Sequence, residues 1–366
     1  MLCLPLAKPY IDQKDIDGVV QTLESGKLAC GPKNQLFEKT FSQFIGAKYA
    51  CTVCNGTAGL HLAVRALDFK AGDEVITTPF SFIASSNCLL FEDLKPVFVD
   101  IEENTFNIDP ALISQAISPK TKGLLTVDIF GQTPDYDPII KIARKHKFKI
   151  IEDACESVGA TYQGKMAGTF GDIGVFAFYP NKQMTTGEGG MIVTSSKSVW
   201  QTCQSLKNQG RILDDQFMLH QSLGYNYRMD DLSASLGITQ LSKINWMIRQ
   251  KNKIAQQYTK ELKGHPRIIT PKTGKNRTNS WFVYVVRITN GQRDKLIRLL
   301  ANKGINTRPY LPVIHLQPFM RKMFGYKPGD FPIAEKISSQ TLALPFYIGL
   351  TEDQISFICH TIKKLA

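Results

Sequence analysis

The sequence has no apolar run that could span a membrane. Such a segment needs about 18 consecutive apolar residues, and every apolar run in these 366 residues is much shorter. The first residues, Met1-Leu2-Cys3-Leu4-Pro5-Leu6, include no basic residue and are too few to form the apolar core of a signal peptide. We therefore expect a cytoplasmic protein that has no membrane partner.

The sequence also lacks regularly spaced cysteines. Its 8 cysteines lie mostly inside apolar segments, and a chain with 43% hydrophobic and 21% charged residues buries enough core to fold without disulfides. The pair Cys51-Thr-Val-Cys54 stands alone, whereas a zinc or redox site would need a second ligand pair or a thioredoxin-like setting. We interpret both cysteines as part of a buried strand and expect no metal.

Neither of the common nucleotide-binding loops is complete. No Gly-x-Gly-x-x-Gly motif follows a predicted strand, so nothing supports a dinucleotide-binding fold. The segment Gly159-Ala-Thr-Tyr-Gln-Gly-Lys-Met166 approaches a P-loop but has Met166 where the Mg²⁺-binding Ser or Thr should stand. The residues that follow do not open a helix. We predict a hairpin-like turn here, and no ATPase activity.

Acidic residues are scarce in the C-terminal third. Residues 241–366 contain 22 Lys and Arg but 6 Asp and Glu, whereas residues 1–240 contain 22 and 26. A basic region of this kind could attract phosphates, acidic membranes or nucleic acid. Because the basic residues are scattered, we interpret the region as a basic small domain that helps to attract an anionic substrate. We expect no nucleic-acid partner.

Short apolar runs alternate with helical segments between residues 48 and 195, which is typical of an α/β layer with a mostly parallel sheet. A long helical periodicity covers 232–262, and a smaller α+β unit follows, with a strand at 281–288 and helices at 294–303 and 331–342. We predict two domains, 1–245 and 246–366. The strands predicted in the first are 49–53, 74–77, 96–100, 123–127, 149–152, 173–178 and 190–194, and its helices are 58–67, 81–90, 112–117 and 138–146.

Three separate segments supply groups that pyridoxal 5′-phosphate (PLP) requires. Lys182 lies in a polar loop between an apolar strand and a glycine-rich turn, where its amine could form a Schiff base. Asp153 follows an apolar strand at the sheet edge where α/β proteins bind ligands, and Gly56 and Thr57 open a helix whose free amides suit a phosphate. A single lysine is more often a surface residue, but the three groups together match the needs of PLP.

Ordered motifs along nearly the whole chain extend this interpretation. They are Gly26-Lys-Leu-Ala-Cys-Gly-Pro32, Asn55-Gly-Thr-Ala-Gly-Leu-His61, Thr78-Pro-Phe-Ser-Phe82, Asp128-Ile-Phe-Gly-Gln132, Glu152-Asp-Ala-Cys-Glu156, Asn181-Lys-Gln-Met-Thr-Thr-Gly-Glu-Gly-Gly190, Gly224-Tyr-Asn-Tyr-Arg228 and Arg308-Pro-Tyr-Leu-Pro-Val-Ile-His-Leu-Gln-Pro318. The series resembles the sugar aminotransferases of the DegT/DnrJ/EryC1/StrS family. The resemblance implies the type I PLP-dependent aminotransferase fold, with a large α/β domain, a small C-terminal α+β domain and a homodimer with shared active sites.

The resemblance implies roles for individual residues around the cofactor. Lys182 would bind PLP as a Schiff base and move the proton between the sugar carbon and the cofactor. Asp153 would keep the pyridine nitrogen protonated, and Phe82 would stack on the ring. The phosphate would be bound by Gly56, Thr57 and Ala58 and by Asn226 of the partner subunit, and the sugar nucleotide would be contacted by Arg228, Tyr310 and His315.

Two positions differ from frequent family forms. Glu156 replaces the Gln or His that often stands near the phenolic oxygen of the cofactor, which alters the balance of protons there. Ala177 replaces a phosphate-binding Ser, so another group must complete the phosphate site. Lys182 is present, whereas dehydratases of the family have His at this position, and the resemblance therefore implies transamination.

The resemblance further implies that the amino group passes from L-glutamate to a nucleotide-linked sugar, as in polysaccharide biosynthesis. Thr185-Thr-Gly-Glu-Gly-Gly190 is similar to the loop of enzymes that act on C4 of 4-keto-6-deoxy sugars, whereas those acting on C3 more often have a loop ending in Gly-Asp-Gly-Gly. A 3-keto sugar nucleotide, a cyclitol ketone and a non-catalytic sensor are open alternatives. The nucleotide could be UDP, dTDP or GDP.

Overall fold

Strands and helices alternate along the described residues, which are 3–212 and 219–366 of the computed structural model. The strands are β1 (Tyr49–Val53), β2 (Glu74–Thr77), β3 (Lys95–Phe98), β4 (Thr121–Val127), β5 (Lys149–Asp153), β6 (Thr161–Tyr162), β7 (Lys165–Met166), β8 (Ile173–Ala177), β9 (Gly190–Thr194), β10 (Ile268–Ile269), β11 (Arg277–Thr278), β12 (Tyr284–Ile288), β13 (Arg308–Pro309) and β14 (Thr341–Leu344). The helices are α1 (Gln13–Glu24), α2 (Pro32–Ile45), α3 (Gly56–Ala66), α4 (Ala84–Leu90), α5 (Pro110–Ile113), α6 (Tyr136–His146), α7 (Lys197–Leu206), α8 (Asp231–Ser242), α9 (Ile244–Leu262), α10 (Arg293–Ala301), α11 (Pro318–Phe324), α12 (Pro332–Gln340) and α13 (Glu352–Leu365). Short 3₁₀ turns lie at Ser114–Ala116 and Ile129–Gly131.

A seven-stranded sheet, in the order β1-β9-β8-β5-β4-β2-β3, forms the centre of the N-terminal region. The pairs β8–β5, β5–β4, β4–β2 and β2–β3 are parallel. Strand β9 runs antiparallel to both of its neighbours, β1 and β8. The prediction of an α/β layer with a mostly parallel sheet is therefore confirmed.

The carboxyl ends of the parallel strands lie at one edge of this sheet. β1 ends at Val53, β5 at Asp153 and β8 at Ala177. Because β9 is antiparallel, it begins at the same edge, where Gly190 pairs with both Val53 and Ala177. Open α/β sheets bind their ligands outside this edge.

Aromatic packing holds β8 in place beneath this edge. Phe176 of β8 and Phe178 just beyond it pack against Phe41 of α2, with ring centroids 5.1 and 5.5 Å apart. All three side chains are fully buried. The start of α2 is itself fixed, because the Asp231 carboxylate accepts a hydrogen bond of 3.0 Å from the Asn34 amide and thus satisfies a donor that a helix start leaves free. The loop that follows β8 therefore departs from a rigid base.

The structure corrects three predicted elements. The periodic segment 232–262 is two helices, α8 and α9, which are separated at Lys243 by non-helical dihedral angles of −115° and 7°. The predicted helix 331–342 ends at Gln340, and the next residues form the fully buried strand β14. The predicted strand 281–288 begins at Tyr284.

The segment that approaches a P-loop is a hairpin, as predicted. Strands β6 and β7 pair antiparallel, and the turn between them is made by Gln163 and Gly164, with φ angles of 50° and 78°. No helix follows this turn before β8. The segment therefore lacks the free amides of a helix start that bind the triphosphate in a P-loop.

The C-terminal region contains a four-stranded antiparallel sheet in the order β10-β12-β14-β13. Leu4 packs into its core, and the Leu4 amide donates a hydrogen bond of 2.8 Å to the Gly304 carbonyl. The predicted boundary between residues 245 and 246 falls within α9 and stays a prediction. In the two described ranges, no helix is both long and apolar enough to cross a membrane.

Candidate active site

A cavity of about 570 Å³ lies at the carboxyl edge of the large sheet. Its wall is built mainly by the connections that follow β1, β2, β5 and β8, together with residues 310–311. The predicted site residues that line it are Gly56, Thr57, Phe82, Asp153, Glu156, Lys182 and Tyr310. The fold thus brings together residues that are far apart in the sequence.

Lys182 lies in the loop between β8 and β9. Its ammonium is 3.4 Å from a carboxylate oxygen of Glu156 and 4.3 Å from the centre of the Phe282 ring. The loop is anchored next to the lysine, because the buried Gln183 side chain donates hydrogen bonds to the carbonyl oxygens of Glu156 and Ser280. This anchoring restricts the directions in which the Lys182 amine can point.

Asp153 is the last residue of β5 and is 5% exposed. One carboxylate oxygen accepts a hydrogen bond of 2.6 Å from the Ser85 hydroxyl, and the other accepts one of 3.2 Å from the Cys155 amide. Ser85 is in turn within 2.7 Å of the Ser81 hydroxyl. A carboxylate held in this way suits a protonated ring nitrogen, because a charge-assisted hydrogen bond is strongest when both groups are fixed.

Glu156 is buried between two partners. One carboxylate oxygen faces Lys182, and the other accepts a hydrogen bond of 2.8 Å from the Phe130 amide. Burial raises the pKa of the Glu156 carboxyl, and the positive charge of Lys182 opposes this shift. Burial, aided by the negative charge of Glu156, also raises the pKa of the Tyr310 phenol on the same cavity wall. Tyr310 therefore acts as a neutral hydroxyl at neutral pH.

The start of helix α3 forms the cradle predicted for a phosphate. Asn55 caps the helix, and its side-chain oxygen accepts a hydrogen bond of 2.8 Å from the Ala58 amide. The Ala58 amide therefore already has an acceptor in this structure, and its role as a phosphate donor stays a prediction. The amides of Gly56 and Thr57 belong to the first turn, where no acceptor exists within the helix, so these two keep their predicted role.

Close packing explains both Gly56 and Ala177. A Cβ atom placed on Gly56 would lie 2.7 Å from the Ala177 Cβ and 3.1 Å from the Cys155 sulfur. Only glycine fits at position 56 without displacing these neighbours. With alanine at position 177, β8 supplies no hydroxyl to this end of the cavity, and Thr57 is the hydroxyl-bearing residue of the cradle.

The residues present fit PLP. The open first turn of α3 suits its phosphate, the Asp153 carboxylate suits its ring nitrogen, and Lys182 provides the amine. Phe82 is 60% exposed while it lines the cavity, so its ring is available for stacking. Across the described residues, no group of three His, Cys, Asp or Glu side chains is placed to hold a metal ion.

His315 does not line the cavity, contrary to the sequence-based expectation. Its side chain is fully buried, its Nε2 atom lies 3.1 Å from the Glu335 carboxylate, and its ring packs on Phe331 at 4.7 Å. Leu311 is the last residue of this segment that lines the cavity. The His315 ring packs instead against the aromatic rings of Tyr326 and Phe331.

Asn226 and Arg228 also lie outside the cavity wall of their own subunit. Asn226 is exposed, and the Arg228 guanidinium donates a hydrogen bond of 2.9 Å to the side chain of Asn208. Their segment runs beside the end of β1, where the Cys54 amide donates to the Tyr227 carbonyl at 2.9 Å. Asn226 is thus exposed and Arg228 is half-buried, and the roles predicted for both residues stay predictions.

Three residues of interest were not found from the sequence. Ser85 supports Asp153 and carries no distinctive signal, since hydroxyl residues are common on helices. Asn181 lies on the cavity wall, and its amide is 3.5 Å from the Tyr310 hydroxyl. Lys251 lies on the apolar face of α9, together with Met247, Ile254 and other buried residues. A lysine in an apolar stripe is a signal that helical periodicity could have revealed.

The chain is similar to known sugar aminotransferases over nearly its full length. The chain is 35% identical to the GDP-perosamine synthase of Escherichia coli O157:H7, over 100% of this chain and 99% of that protein. Its structure superposes on Helicobacter pylori PseC, an aminotransferase of pseudoaminic acid biosynthesis, with a TM-score of 0.94 and 27% identity over 99% and 98% of the two chains. It is also similar to Spr1654 from Streptococcus pneumoniae, solved in PLP and PMP forms, with a TM-score of 0.94 and 26% identity over 99% and 98%.

The sequence matches the DegT/DnrJ/EryC1/StrS aminotransferase family over residues 9–363, which is nearly its full length. The fold and the cofactor expected from the sequence are thereby confirmed. The chain belongs to the DegT/DnrJ/EryC1/StrS family, and it is a PLP-dependent sugar aminotransferase with the type I fold.

Proposed function

We propose that the protein transfers an amino group from L-glutamate to C4 of a nucleotide-linked 4-keto-6-deoxyhexose. The observation that carries this proposal is the meeting of Lys182, Asp153 and the first turn of α3 in one cavity. The loop form at 185–190 supports C4 as the site of amination, and the similarity to a GDP-perosamine synthase supports a nucleotide-linked sugar as the substrate. A deoxysugar linked to UDP, dTDP or GDP fits the proposal.

Three residues of the cavity wall, Lys182, Asp153 and Glu156, would each have a defined task in this reaction. Bound PLP would supply an electron sink that stabilises negative charge on the reacting carbon. Lys182 would hold the cofactor and carry the proton on its Nζ atom. Asp153 would keep a proton on the nitrogen that faces it, and Glu156 would orient the Lys182 ammonium when this amine is free.

Phosphates would be attracted by two features of the chain. The amides of Gly56 and Thr57 would bind the cofactor phosphate at the positive end of the α3 dipole. The excess of Lys and Arg in residues 241–366 would attract the diphosphate of the sugar nucleotide. Turnover at low substrate concentration should therefore weaken as salt is added.

The substrate assignment is tested by assaying a 4-keto and a 3-keto sugar nucleotide side by side with ¹⁵N-labelled glutamate. We expect label in the product of the 4-keto compound and little in the other. Efficient turnover of only the 3-keto compound would reverse the regiochemistry, and turnover of a free cyclitol ketone would replace the substrate class. A holoprotein whose yellow colour does not bleach with glutamate would favour the sensor alternative.

We further propose that each active site is completed by the partner subunit. Asn226 is exposed and does not line the cavity of its own chain, which fits a role at the phosphate of the opposite site. The inactive variants Lys182→Ala and Asn226→Ala should then regain activity when mixed. A mixed dimer has one site in which an intact Lys182 meets an intact Asn226 across the interface.

The mixing experiment needs separate affinity tags, so that dimers containing both variants can be purified and their composition confirmed. Two differently tagged Lys182→Ala preparations serve as the matched control and should stay inactive. Confirmed mixed dimers without recovered activity would contradict a shared site.

A further inference from the structure

Lys251 is a buried lysine that the proposed mechanism does not use. It lies on α9, and its side chain packs among apolar residues of that helix face with 6% exposure. Its ammonium donates a hydrogen bond of 3.1 Å to the main-chain carbonyl of Lys182. Among the described residues, no carboxylate lies within 4.0 Å of it. A buried ammonium without a carboxylate is costly, so its position calls for a functional explanation.

Lys251 lies behind the Lys182 loop, away from the active-site cavity. It lines a separate small space of about 10 Å³ together with residues of the N-terminal segment, the Lys182 loop and α8. The large cavity is lined by Lys182 but not by Lys251. Lys251 therefore contacts the backbone of the loop, and it does not reach a substrate in the large cavity.

The charge of Lys251 depends on its surroundings. Burial lowers the pKa of the Lys251 ammonium to about 7, and the positive charge of Lys182 contributes to this shift. The other ionisable side chains that line the small space are Lys8 and Tyr10, neither of which supplies a negative charge at neutral pH. The buried Glu156 carboxylate, which follows β5, is paired with Lys182.

We propose that Lys251 is a positioning residue that fixes the peptide of Lys182 through its hydrogen bond to the Lys182 carbonyl, and that the positive charge of Lys182 disfavours a positive charge on Lys251. Its hydrogen bond holds the Lys182 carbonyl, while the Lys182 side chain lies next to Glu156 on the wall of the active-site cavity. When Lys182 loses its positive charge, Lys251 can be protonated and binds the carbonyl more strongly. The expected effect of Lys251 on activity rests on the proposed function of Lys182, whereas the expected effect on stability does not.

The charge coupling is tested on the cofactor-free full-length protein. Because the pKa of Lys251 is lowered from about 10.4 in the unfolded chain to about 7 in the folded protein, the unfolded chain binds one more proton between these pH values. The free energy of unfolding should therefore rise with pH across this range. Lys251→Met should lose this rise, while the exposed Lys253→Met on the same helix should keep it.

The denaturation midpoint is measured from pH 6 to pH 10 at one protein concentration, since a dimer's stability depends on concentration. In Lys182→Met the rise should begin at a higher pH, because the repelling charge has been removed. If the denaturation midpoints of the wild type and Lys251→Met change with pH in parallel, the inference is overturned. If Lys251→Met loses the rise but Lys182→Met leaves its starting pH unchanged, the coupling between the two lysines is overturned.

The positioning role predicts a defined change in activity. Lys251→Met should lower kcat on the order of tenfold, because a misplaced reactive group loses rate steeply with distance, and it should change the KM of either substrate less than twofold. Lys251→Arg keeps a donor and should recover part of the loss, with a flatter pH profile. An unchanged kcat in a folded Lys251→Met protein would contradict the role. An active Lys182→Ala protein would overturn the proposed function but not the stability coupling.

Discussion

Lys182→Ala is expected to lower transamination on the order of 10⁴-fold or more, while the protein stays folded. The amine that would hold the cofactor and carry the proton is lost, and nucleophilic residues of this kind account for large parts of the rate. Among the described residues, no other lysine lines the active-site cavity. We therefore expect no other amine on the cavity wall to take over the task.

The Lys182→Ala variant should remain folded because Glu156, the buried partner of Lys182, can become neutral by taking up a proton. Removal of Lys182 takes away the positive charge that opposes the raised pKa of Glu156. The carboxyl then takes up a proton more readily, and no bare charge is left buried. Thermal unfolding and far-UV circular dichroism check the fold, with exposed Lys197→Ala as the matched control for loss of one surface lysine. Multiple turnovers by pure Lys182→Ala would refute the assignment.

Asp153→Asn is expected to bind the cofactor but to react with glutamate on the order of 10²- to 10³-fold more slowly. An amide of the same shape keeps the packing, yet it cannot stabilise a positive charge on the facing nitrogen. The buried position makes this loss severe, because little water reaches the carboxylate at 5% exposure. The measurement is the single-turnover absorbance change after addition of glutamate.

Ser85→Ala provides a graded control for this experiment. It removes the hydroxyl that donates to the Asp153 carboxylate at 2.6 Å but leaves the charge, so its effect should be clearly smaller than that of Asp153→Asn. Wild-type half-reaction rates in Asp153→Asn would show that Asp153 does not face the ring nitrogen. An effect of Ser85→Ala as large as that of Asp153→Asn would point to a disturbed fold instead.

The residues proposed as catalytic could be placed at one site from the sequence because they lie at or just after the ends of strands. Asp153 ends β5, and the loop of Lys182 leaves β8. Alternating strands and helices predict a parallel sheet, and a parallel sheet places these ends at one edge. The short-range pattern of the sequence was thus enough to bring Lys182, Asp153 and the start of α3 together.

Other features depend on contacts between distant parts of the chain, which a local pattern does not contain. Whether His315 faces the substrate or the core depends on Glu335 and Phe331. Similarly, residues 341–344 form a strand because β12 and β13 lie on either side of them, whereas their apolar sequence alone was also compatible with a helix. The sequence likewise does not show that the Ala58 amide donates a hydrogen bond to the Asn55 side chain.

The packing of Leu4 has a consequence for how the molecule is made. Residues 4–6 are synthesised before their main-chain partners, which are Gly304, Asn306 and Phe346. Residues 4–6 therefore cannot make these native contacts until residue 346 has emerged from the ribosome. A fragment that begins at residue 246 would lack Leu4 in its core, so the core of the C-terminal region is completed only when residues 4–6 reach it.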